Sequence, residues 1–381
     1  MLKKRSWWRI VKKSESEECN FVWTQWYKQS QNDRLPIHGE NCDLVKINNH
    51  LENNVWITNK KDLFLNLNAF YLGSDRDPYD FLPETFLVKN GTDEISFMNF
   101  VESTKQKVHW DPQNSDSSEA EENKQYWIIK PGENTNRGKG IKVWDSIQQL
   151  KKYMKGSTRS WFIIQRYISN PMLIDRRKFD IRWFGLFTCI NGVKKAYFYQ
   201  GGYLRTSCKE FSMSNIDNNY VHLTNDAIQL KSPDYGKHEN WNKLSLNDFD
   251  KYLDQNYNKS FYVDLLPKIK QSVKDTFMCA FDRLNPSNKD NCFELFGFDF
   301  MVDEEFKVYL IEVNTNPCLE TPCSLLSSII SNLLDHTFKL TIDVLFPNTT
   351  LNQGKCIIWL VVESSNYLWK FEQVVESTIG E

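Results

Sequence analysis

The chain has 381 residues, of which 40% are hydrophobic and 14% aromatic, and its formal net charge is -2 at pH 7. This composition predicts a globular protein of two or three lobes and excludes an intrinsically disordered chain. The charge balance argues against a general nucleic-acid binder, although it is compatible with a local basic patch.

The cysteine pattern and the lengths of the apolar runs exclude further classes of protein. The nine cysteines include no CxxC pair and are accompanied by only six histidines, which argues against zinc and disulfide scaffolds and favours a reducing compartment. The longest purely apolar run, 356–362, is far shorter than the roughly 20 residues that cross a bilayer. The N-terminal MLKKRSWWRIVKK has no apolar signal core. We therefore expect a soluble cytosolic protein without membrane partners.

The first part of the chain predicts a charged tail and a small lobe. Residues 1–20 have no clear period, and their basic cluster fits a solvated tail or contact with an acidic partner; it comprises Lys3, Lys4, Arg5, Arg9, Lys12 and Lys13. From 21 to 86, short apolar runs alternate with Asn and Lys clusters and end in DPYDFLPETF, whose two prolines indicate a boundary. We predict a small N-terminal α/β lobe here.

A central lobe is predicted over 87–167. Within it, residues 111–124 have only Ala120 as an apolar residue, which predicts a disordered acidic loop. YWIIKP and SWFIIQRYI are typical of two buried strands, and the stretch 144–154 between them is typical of a helix.

The loop that follows the first of these strands carries charge and glycine. Lys130 and Arg137 mark the ends of a polar segment, GENTN, and Gly138 and Gly140 follow before a predicted second strand. Backbone N–H groups in such a loop can cover phosphates while the two cations neutralise oxygens. A plain hairpin turn is the alternative, and the pattern matches neither the P-loop nor the dinucleotide fingerprint.

Two downstream segments add polar groups. Gln165, Tyr167 and Ile168 offer an amide, backbone groups and apolar surface, which suit an adenine edge, although an ordinary strand end explains them as well. In RRKFDIRWF three ionisable residues share one strand face, either toward a site or toward solvent; they are Lys178, Asp180 and Arg182.

The C-terminal lobe is predicted over 168–350, with an extension at 351–381. Apolar residues at helical spacing predict packing helices over 261–284 and 324–345, on either side of a hairpin. Strands mixed with helices in this order favour an α/β or α+β sandwich.

That hairpin is the segment FELFGFDFMVDEEFKVYLIEVNTNP, residues 293–317, with a charged turn at 303–306. Folding the strands so that Gly297 lies opposite Glu312 predicts two faces. The core face would hold Phe296, Phe298, Phe300, Tyr309, Ile311 and Val313, and the other face Gly297, Asp299, Leu310, Glu312 and Asn314. Gly297 would leave space for a close approach to the backbone.

The second face brings two carboxylates and an amide oxygen together. Close carboxylates repel unless a cation or proton lies between them, and hard oxygen ligands suit magnesium. The hairpin therefore predicts a magnesium-nucleotide site, with the solvated face of an edge hairpin as the alternative.

Taken in order, the cationic loop, the strand after it, the charged strand and the acidic hairpin resemble a known family. The motifs are WIIKPGENTNRGKGI, IIQRYISNPMLIDRRKFDIRWF, GGYLRTS, HLTNDAIQ and FELFGFDFMVDEEFKVYLIEVN. Over roughly residues 45–346 the sequence is similar to the tubulin tyrosine ligase and ligase-like family. The resemblance implies an α+β ATP-grasp fold in which two α+β lobes hold ATP between them.

The resemblance also implies roles for individual residues. Phosphate contacts fall to Lys130 and Arg137, and adenine contacts to Gln165 and the backbone of Tyr167 and Ile168. Further nucleotide contacts fall to Lys178, Asp180 and Asn225, the last near the terminal phosphate. The implied magnesium ligands are Asp299, Glu312 and Asn314.

The implied reaction is ATP-dependent amide formation through an acyl phosphate. Arg182 and Arg205 are candidates to bind the acceptor carboxylate and the transferring phosphoryl group, with Glu312 as a catalytic metal ligand. For each arginine, a structural ion pair is the alternative. The implied acceptor is the acidic C-terminal tail of tubulin, and Arg176, Arg177 and Lys237 are further candidates to contact it.

The amino acid that is added stays open between glutamate, glycine and tyrosine. Thr315-Asn316 differs from the Gly-Ala of tyrosine ligase, and NNHLENNVWITNKKDLFLNL resembles enzymes that add glutamate or glycine, which favours glutamylation. A catalytically inactive tubulin-tail binder and a small-molecule carboxylate-amine ligase are the alternatives of other classes.

The resemblance implies a cytoplasmic, cytoskeletal location, with cilium or basal body as a narrower option. The chain lacks a long cationic extension after 350, which predicts a targeting partner on microtubules or action on short segments.

Overall fold

The computed structural model describes residue 5 and residues 19–40, 45–89, 95–107, 125–131, 140–157, 161–347 and 371–378. Their strands are β1 (Phe21–Val22), β2 (Ile47–Asn48), β3 (Thr85–Lys89), β4 (Trp127–Pro131), β5 (Lys142–Trp144), β6 (Trp161–Arg166), β7 (Leu173–Ile174), β8 (Arg177–Ile190), β9 (Val193–Glu210), β10 (Lys243–Ser245), β11 (Cys292–Val302), β12 (Val308–Thr315) and β13 (Phe371–Thr378). The longer helices are Lys60–Gly73, Ile95–Lys107, Ile147–Lys155, Leu246–Tyr257, Leu266–Ala280 and Ser324–Leu340.

Short helices connect these elements. They are Gln29–Asn32, Val55–Thr58, Pro78–Asp80, Asn219–His222, Asp226–Gln229, Asn240–Asn242, Ile342–Leu345 and a π-helical turn at Phe261–Leu265. None of the helices in the described ranges combines the length and apolar character needed to cross a membrane.

A nine-stranded sheet forms the larger part of the fold. Its main order is β1-β2-β11-β8-β9-β10, with β12 paired to β11, β13 to β9 and β7 to β8. All fourteen residues of β8, Arg177–Ile190, are buried because helices cover both faces of the sheet. Helix Leu266–Ala280 packs on one face against Phe296 and Phe298. Helix Ser324–Leu340 packs on the other face with Phe293 and Leu295, so the two predicted packing helices flank the sheet as expected.

A four-stranded sheet, ordered β3-β6-β4-β5, forms a separate core. Phe100, Trp127 and Leu150 pack there, the first and last from the helices Ile95–Lys107 and Ile147–Lys155. The predicted strands YWIIKP and SWFIIQRYI are confirmed as β4 and β6, and the predicted helix between them is confirmed at Ile147–Lys155. The chain is therefore a mixed α+β protein with two sheets.

The register of the predicted hairpin is corrected by a β-bulge. Asp299, rather than Gly297, lies opposite Glu312, and the register shifts between Asp299 and Phe300. An extra residue in one strand reverses the faces beyond it. Leu310 is consequently buried in the core with Phe300, whereas Ile311 faces the opening beside Glu312. The predicted core positions of Tyr309 and Ile311, and the outward position of Leu310, were wrong.

The space beside Gly297 is filled by the protein itself. A β-carbon at this position would lie 2.9 Å from the Pro317 β-carbon and 3.4 Å from an Arg182 nitrogen. The close approach that this glycine permits is therefore made by Pro317 and Arg182.

Residues 21–86, predicted as a small first lobe, contribute to the larger sheet. β1 and β2 extend it through β11, and Leu63, Leu67 and Tyr71 of helix Lys60–Gly73 pack in the core that contains Phe277. The predicted domain boundaries remain predictions.

Arg5 departs from the predicted solvated tail. It is buried, and its guanidinium donates to Asp343 at 2.7 and 2.8 Å and to Asp335 at 3.2 Å. The other basic residues of that cluster, the loop 111–124 and Arg137 with the start of its predicted strand lie outside the described residues. Of the predicted extension 351–381, the described part is β13, which pairs with β9 and was not predicted.

Candidate active site

A cleft of about 1220 Å³, as the described residues bound it, opens between the two sheets. The four-stranded sheet contributes Lys130 and Gln165, and the nine-stranded sheet contributes Asp299, Glu312 and Asn314. The volume exceeds the upper end of typical small-molecule pockets, about 1,000 Å³. Tyr167, Ile168, Lys178, Asp180, Arg205 and Asn225 also line it.

The metal-ligand candidates converge because β11 and β12 pair through them. Asp299 lies directly opposite Glu312, and Gly297 opposite Asn314. The Asn314 Nδ2 atom donates to Asp299 Oδ2 at 3.3 Å and to Glu312 Oε1 at 3.2 Å. The amide therefore bridges the two carboxylates, which otherwise would repel each other.

Among the described residues, Lys60 forms the salt bridge with Glu312. It begins the helix Lys60–Gly73, which Asn59 caps by accepting from the backbone of Lys61 and Asp62. Its Nζ atom lies 2.9 Å from Glu312 Oε2. Burial favours the neutral acid, but Lys60 and Lys130 outweigh it and hold the pKa of Glu312 well below its usual range.

Asp299 is the centre of a buried charge network. Arg182 donates to both its oxygens, at 2.5 and 3.1 Å, and Arg205 Nη2 lies 2.9 Å from Oδ2. Arg205 also binds Asp180 through both oxygens. Burial raises the pKa of Asp299, whereas the two guanidinium groups favour its carboxylate form. The ion-pair alternative considered for Arg182 and Arg205 is thus present in the structure, and Arg205 also lines the cleft.

Lys130 faces this network from the other sheet. Its Nζ donates to Gln165 Oε1 at 2.6 Å, and the Gln165 amide in turn donates to Thr85 at 2.9 Å. Burial is the main cause that lowers the pKa of Lys130 to about 8. A buried ammonium that donates to one neutral amide among the described residues is a suitable counter-charge for an anionic ligand.

Lys178 belongs to a second hydrogen-bonded chain across the cleft. Its Nζ donates to the Tyr167 hydroxyl at 2.9 Å and to the His222 carbonyl at 3.1 Å. The His222 ring contacts the Asn215 carbonyl through Nε2 at 3.0 Å, so Nε2 carries the proton and Nδ1 accepts from Tyr167 at 2.7 Å. Burial lowers the pKa of Lys178 to about 7 and also lowers that of His222.

Asn225 follows this chain at the wall of the cleft. Its Oδ1 atom is buried and has no hydrogen-bond partner among the described residues. A buried unsatisfied amide oxygen in a native site requires an explanation such as a ligand. The side chain of Asn225 therefore offers an available hydrogen-bond acceptor at the cleft.

The three candidate contacts for an acidic tail differ in their exposure to solvent. Arg176 is exposed and paired with Glu210 at 2.7 Å, and Lys237 is exposed and paired with Asp234. Arg177 is buried and binds Glu239 through both carboxylate oxygens, so the prediction that it contacts a tail was wrong. Arg177 begins β8 with its side chain inside the protein.

The donor set fits a divalent cation. Asp299 and Glu312 are hard carboxylate donors on neighbouring positions, and reversal of the Asn314 amide would place its oxygen where Nδ2 now bridges them. The unsatisfied Asn225 oxygen lies in the same cleft. The sequence analysis identified these residues but missed Lys60 and His222. The signal for them was that Lys60 lies in the segment NKKDL and His222 in the motif HLTN.

Two sheets that enclose a cleft, with buried lysines on both sides and paired carboxylates on one hairpin, define a mixed α+β protein whose cleft brings buried charges of both signs together. The chain belongs to the tubulin-tyrosine ligase family, whose sequence pattern matches residues 40–352.

Individual relatives agree with this membership. Probable tubulin polyglutamylase TTLL2 of Homo sapiens is 30% identical over 93% of this chain and 55% of its own length. Probable alpha-tubulin polyglutamylase Ttll1 of Tetrahymena thermophila is 28% identical over 89% of this chain and 81% of its own length. Tubulin glycylase 3B of the same organism is 30% identical over 57% of this chain and 18% of its own length. The chain thus spans about half of the human relative and less than a fifth of the glycylase.

Proposed function

We propose that the protein is an ATP-dependent ligase that attaches glutamate to the acidic C-terminal tails of tubulin. The observation that carries the proposal is the cleft in which Asp299, Glu312 and Asn314 face Lys130 across two sheets. The names of the relatives support the substrate class. The polyglutamylases align over about nine-tenths of this chain and the glycylase over 57%, which favours glutamate over glycine.

ATP would lie between the sheets, as in the ATP-grasp arrangement that the motifs resemble. Gln165 and the backbone of Tyr167 and Ile168 would contact adenine, and Lys130, Lys178 and Asp180 the rest of the nucleotide. Asn225 would contact the terminal phosphate. Arg137, whose position the structure does not describe, is a second candidate phosphate contact on the strength of the sequence resemblance. Asp299, Glu312 and Asn314 would hold magnesium, which supplies positive charge to the phosphate oxygens.

The reaction would proceed in two displacements. A carboxylate oxygen attacks the terminal phosphorus, the bond to ADP breaks, and an acyl phosphate forms. The amine of the second substrate then attacks the acyl carbon, phosphate leaves, and the amine loses a proton. Arg205, which lines the cleft, would orient the carboxylate of the acceptor substrate. Arg182 would hold Asp299 in place through their hydrogen bonds.

The partners follow from this activity. The substrates would be a free amino acid and tubulin, either free or in microtubules. A separate targeting protein would bring the enzyme to microtubules. Action on microtubules would place the protein in the cytoplasm at the cytoskeleton, including cilia and basal bodies.

The decisive experiment incubates the purified chain with tubulin, ATP and either glutamate, glycine or tyrosine, followed by mass measurement of the tails. Glutamate should add its residue mass only when ATP is present. A shift with glycine alone would instead identify a glycine ligase. No ATP-dependent shift with any of the three would favour an inactive tail binder, and turnover unaffected by competing tail peptide would favour a small-molecule ligase.

A further inference from the structure

Lys60 was assigned no role by the sequence motifs. It comes from the N-terminal part of the chain, yet its Nζ lies 2.9 Å from Glu312 Oε2 inside the cleft. The side chains are 19% and 26% exposed, so solvent screens this pair less than an ordinary surface pair.

The neighbouring Lys61 shows that the contact with Glu312 is specific to Lys60. Lys61 turns away from Glu312, toward Asp62 at 3.5 Å and over the Trp161 ring at 5.0 Å. The Asn59 cap fixes where the helix starts and therefore which of the two lysines faces the cleft. Lys61 is a matched control in the same helical turn.

Charge balance around Glu312 links Lys60 to the metal. With Asn314 bridging the carboxylates and Lys60 on the outer oxygen, every carboxylate contact of Glu312 is to a donor. A divalent cation bound to Glu312 would repel the Lys60 ammonium at this distance. The cation would also balance the carboxylate charge that Lys60 now balances. Lys60 and the cation therefore compete for one carboxylate.

We propose that Lys60 is the resident counter-ion of Glu312, that the metal–nucleotide complex displaces it, and that its ammonium then pairs with the terminal phosphate. This rests on the proposed function in placing the metal at Glu312 and the nucleotide phosphates beside it, but not on ligation of tubulin. Lys60 is thus a positioning residue that holds the Glu312 carboxylate in place before the substrates bind.

The test compares wild type, Lys60→Met and Lys61→Met, each with thermal unfolding to verify the fold. Mn²⁺ serves as the probe, and its binding is measured by calorimetry without nucleotide. Lys60→Met should bind Mn²⁺ about fivefold more tightly than wild type, the factor that one partly exposed ion pair supports, and Lys61→Met should match wild type. Unchanged or weaker Mn²⁺ binding by Lys60→Met would overturn the proposal.

A second arm uses Mn²⁺ with a non-hydrolysable ATP analogue. Here Lys60→Met should bind the analogue about tenfold more weakly than wild type, because a charge-assisted contact to phosphate is lost. Opposite signs in the two arms distinguish displacement from general damage, and equal analogue affinity would overturn the phosphate pairing. Wild type that binds Mn²⁺ and analogue but modifies no tubulin would refute the proposed ligase and leave the role of Lys60 standing.

Discussion

Glu312 is ion-paired with Lys60 and hydrogen-bonded to Asn314, so its carboxylate is ionised in the cleft. Replacement by glutamine keeps the shape and removes the charge. We expect Glu312→Gln to reduce tubulin modification by about 100-fold or more, since several kcal/mol of charge stabilisation are lost. The assay is mass measurement of the tails.

The matched control for this substitution is Glu305→Gln, in the exposed turn of the same hairpin. It should retain full activity. Both variants should unfold within about 1 kcal/mol of wild type, since neither removes a fully buried pair. Substantial turnover by Glu312→Gln would contradict the metal role of this residue.

Lys130 and Lys178 make nucleotide binding dependent on pH. Burial lowers their pKa values to about 8 and about 7, so both ammonium groups lose protons near neutral pH in the free protein. Bound phosphate favours the charged forms and raises both pKa values, so binding takes up protons. Affinity for a non-hydrolysable ATP analogue should therefore be nearly constant below about pH 6 and fall as pH rises through 7 and 8.

Calorimetry in two buffers of different ionisation enthalpy measures this uptake directly. At pH 7.5 wild type should take up protons on binding, and Lys130→Met and Lys178→Met should each take up fewer. Binding without proton uptake at this pH would show that the lysines do not face the nucleotide.

Arg177 and Arg176 are neighbours with opposite surroundings. Arg177 is buried and binds Glu239, whereas Arg176 is exposed and binds Glu210. Arg177→Met should lower the free energy of unfolding by about 3 to 5 kcal/mol, because it leaves a carboxylate without its buried partner. Arg176→Met should change it by at most about 0.5 kcal/mol.

Urea denaturation compares the two arginine variants. The alternating pattern in RRKFDIRWF places residues on strand faces, but it does not reveal that Glu239, far along the chain, lies over Arg177. That is why the sequence suggested a surface role for this arginine. A loss below about 1 kcal/mol for Arg177→Met would contradict the buried pair.

At the scale of elements, the hairpin separates what periodicity can predict from what it cannot. The strands, the turn and the shared face of Asp299, Glu312 and Asn314 all follow from alternation. The bulge between Asp299 and Phe300 does not, because alternation carries no sign of the extra residue in β12 that reverses the faces of the residues on its turn side. Asp299, Glu312 and Asn314 lie on the predicted side because, counted from the turn, all three lie beyond the bulge, where the register is offset by two residues from the predicted one.

Leu310 and Ile311 test this register. Leu310 is buried with Phe300, and Ile311 lines the cleft. Leu310→Ala should lower the free energy of unfolding by about 2 to 5 kcal/mol. Ile311→Ala should cost clearly less and instead weaken binding of a fluorescent nucleotide. The reverse order of stabilities would favour the unbulged pairing.

At the scale of the molecule, the pairing between distant segments of the chain could not be predicted from the sequence. Residues 21–86 are compositionally distinct, which suggested a lobe, but β1 and β2 extend the large sheet beside β11. The salt bridge of Lys60 with Glu312 is equally non-local. Local patterns predict elements, whereas such contacts depend on how distant segments pack.

The two sheets supply different halves of the cleft, so one ligand should stabilise both together. Magnesium with a non-hydrolysable ATP analogue at 100 times its Kd should add about 2.7 kcal/mol to the free energy of unfolding. Lys130→Met and Glu312→Gln change opposite walls of the cleft, and each should remove most of that gain. Hydrogen exchange should show β4, β6 and β12 becoming protected at the same ligand concentration. Protection confined to one sheet, or a gain that survives in either variant, would mean that the nucleotide does not bridge the sheets.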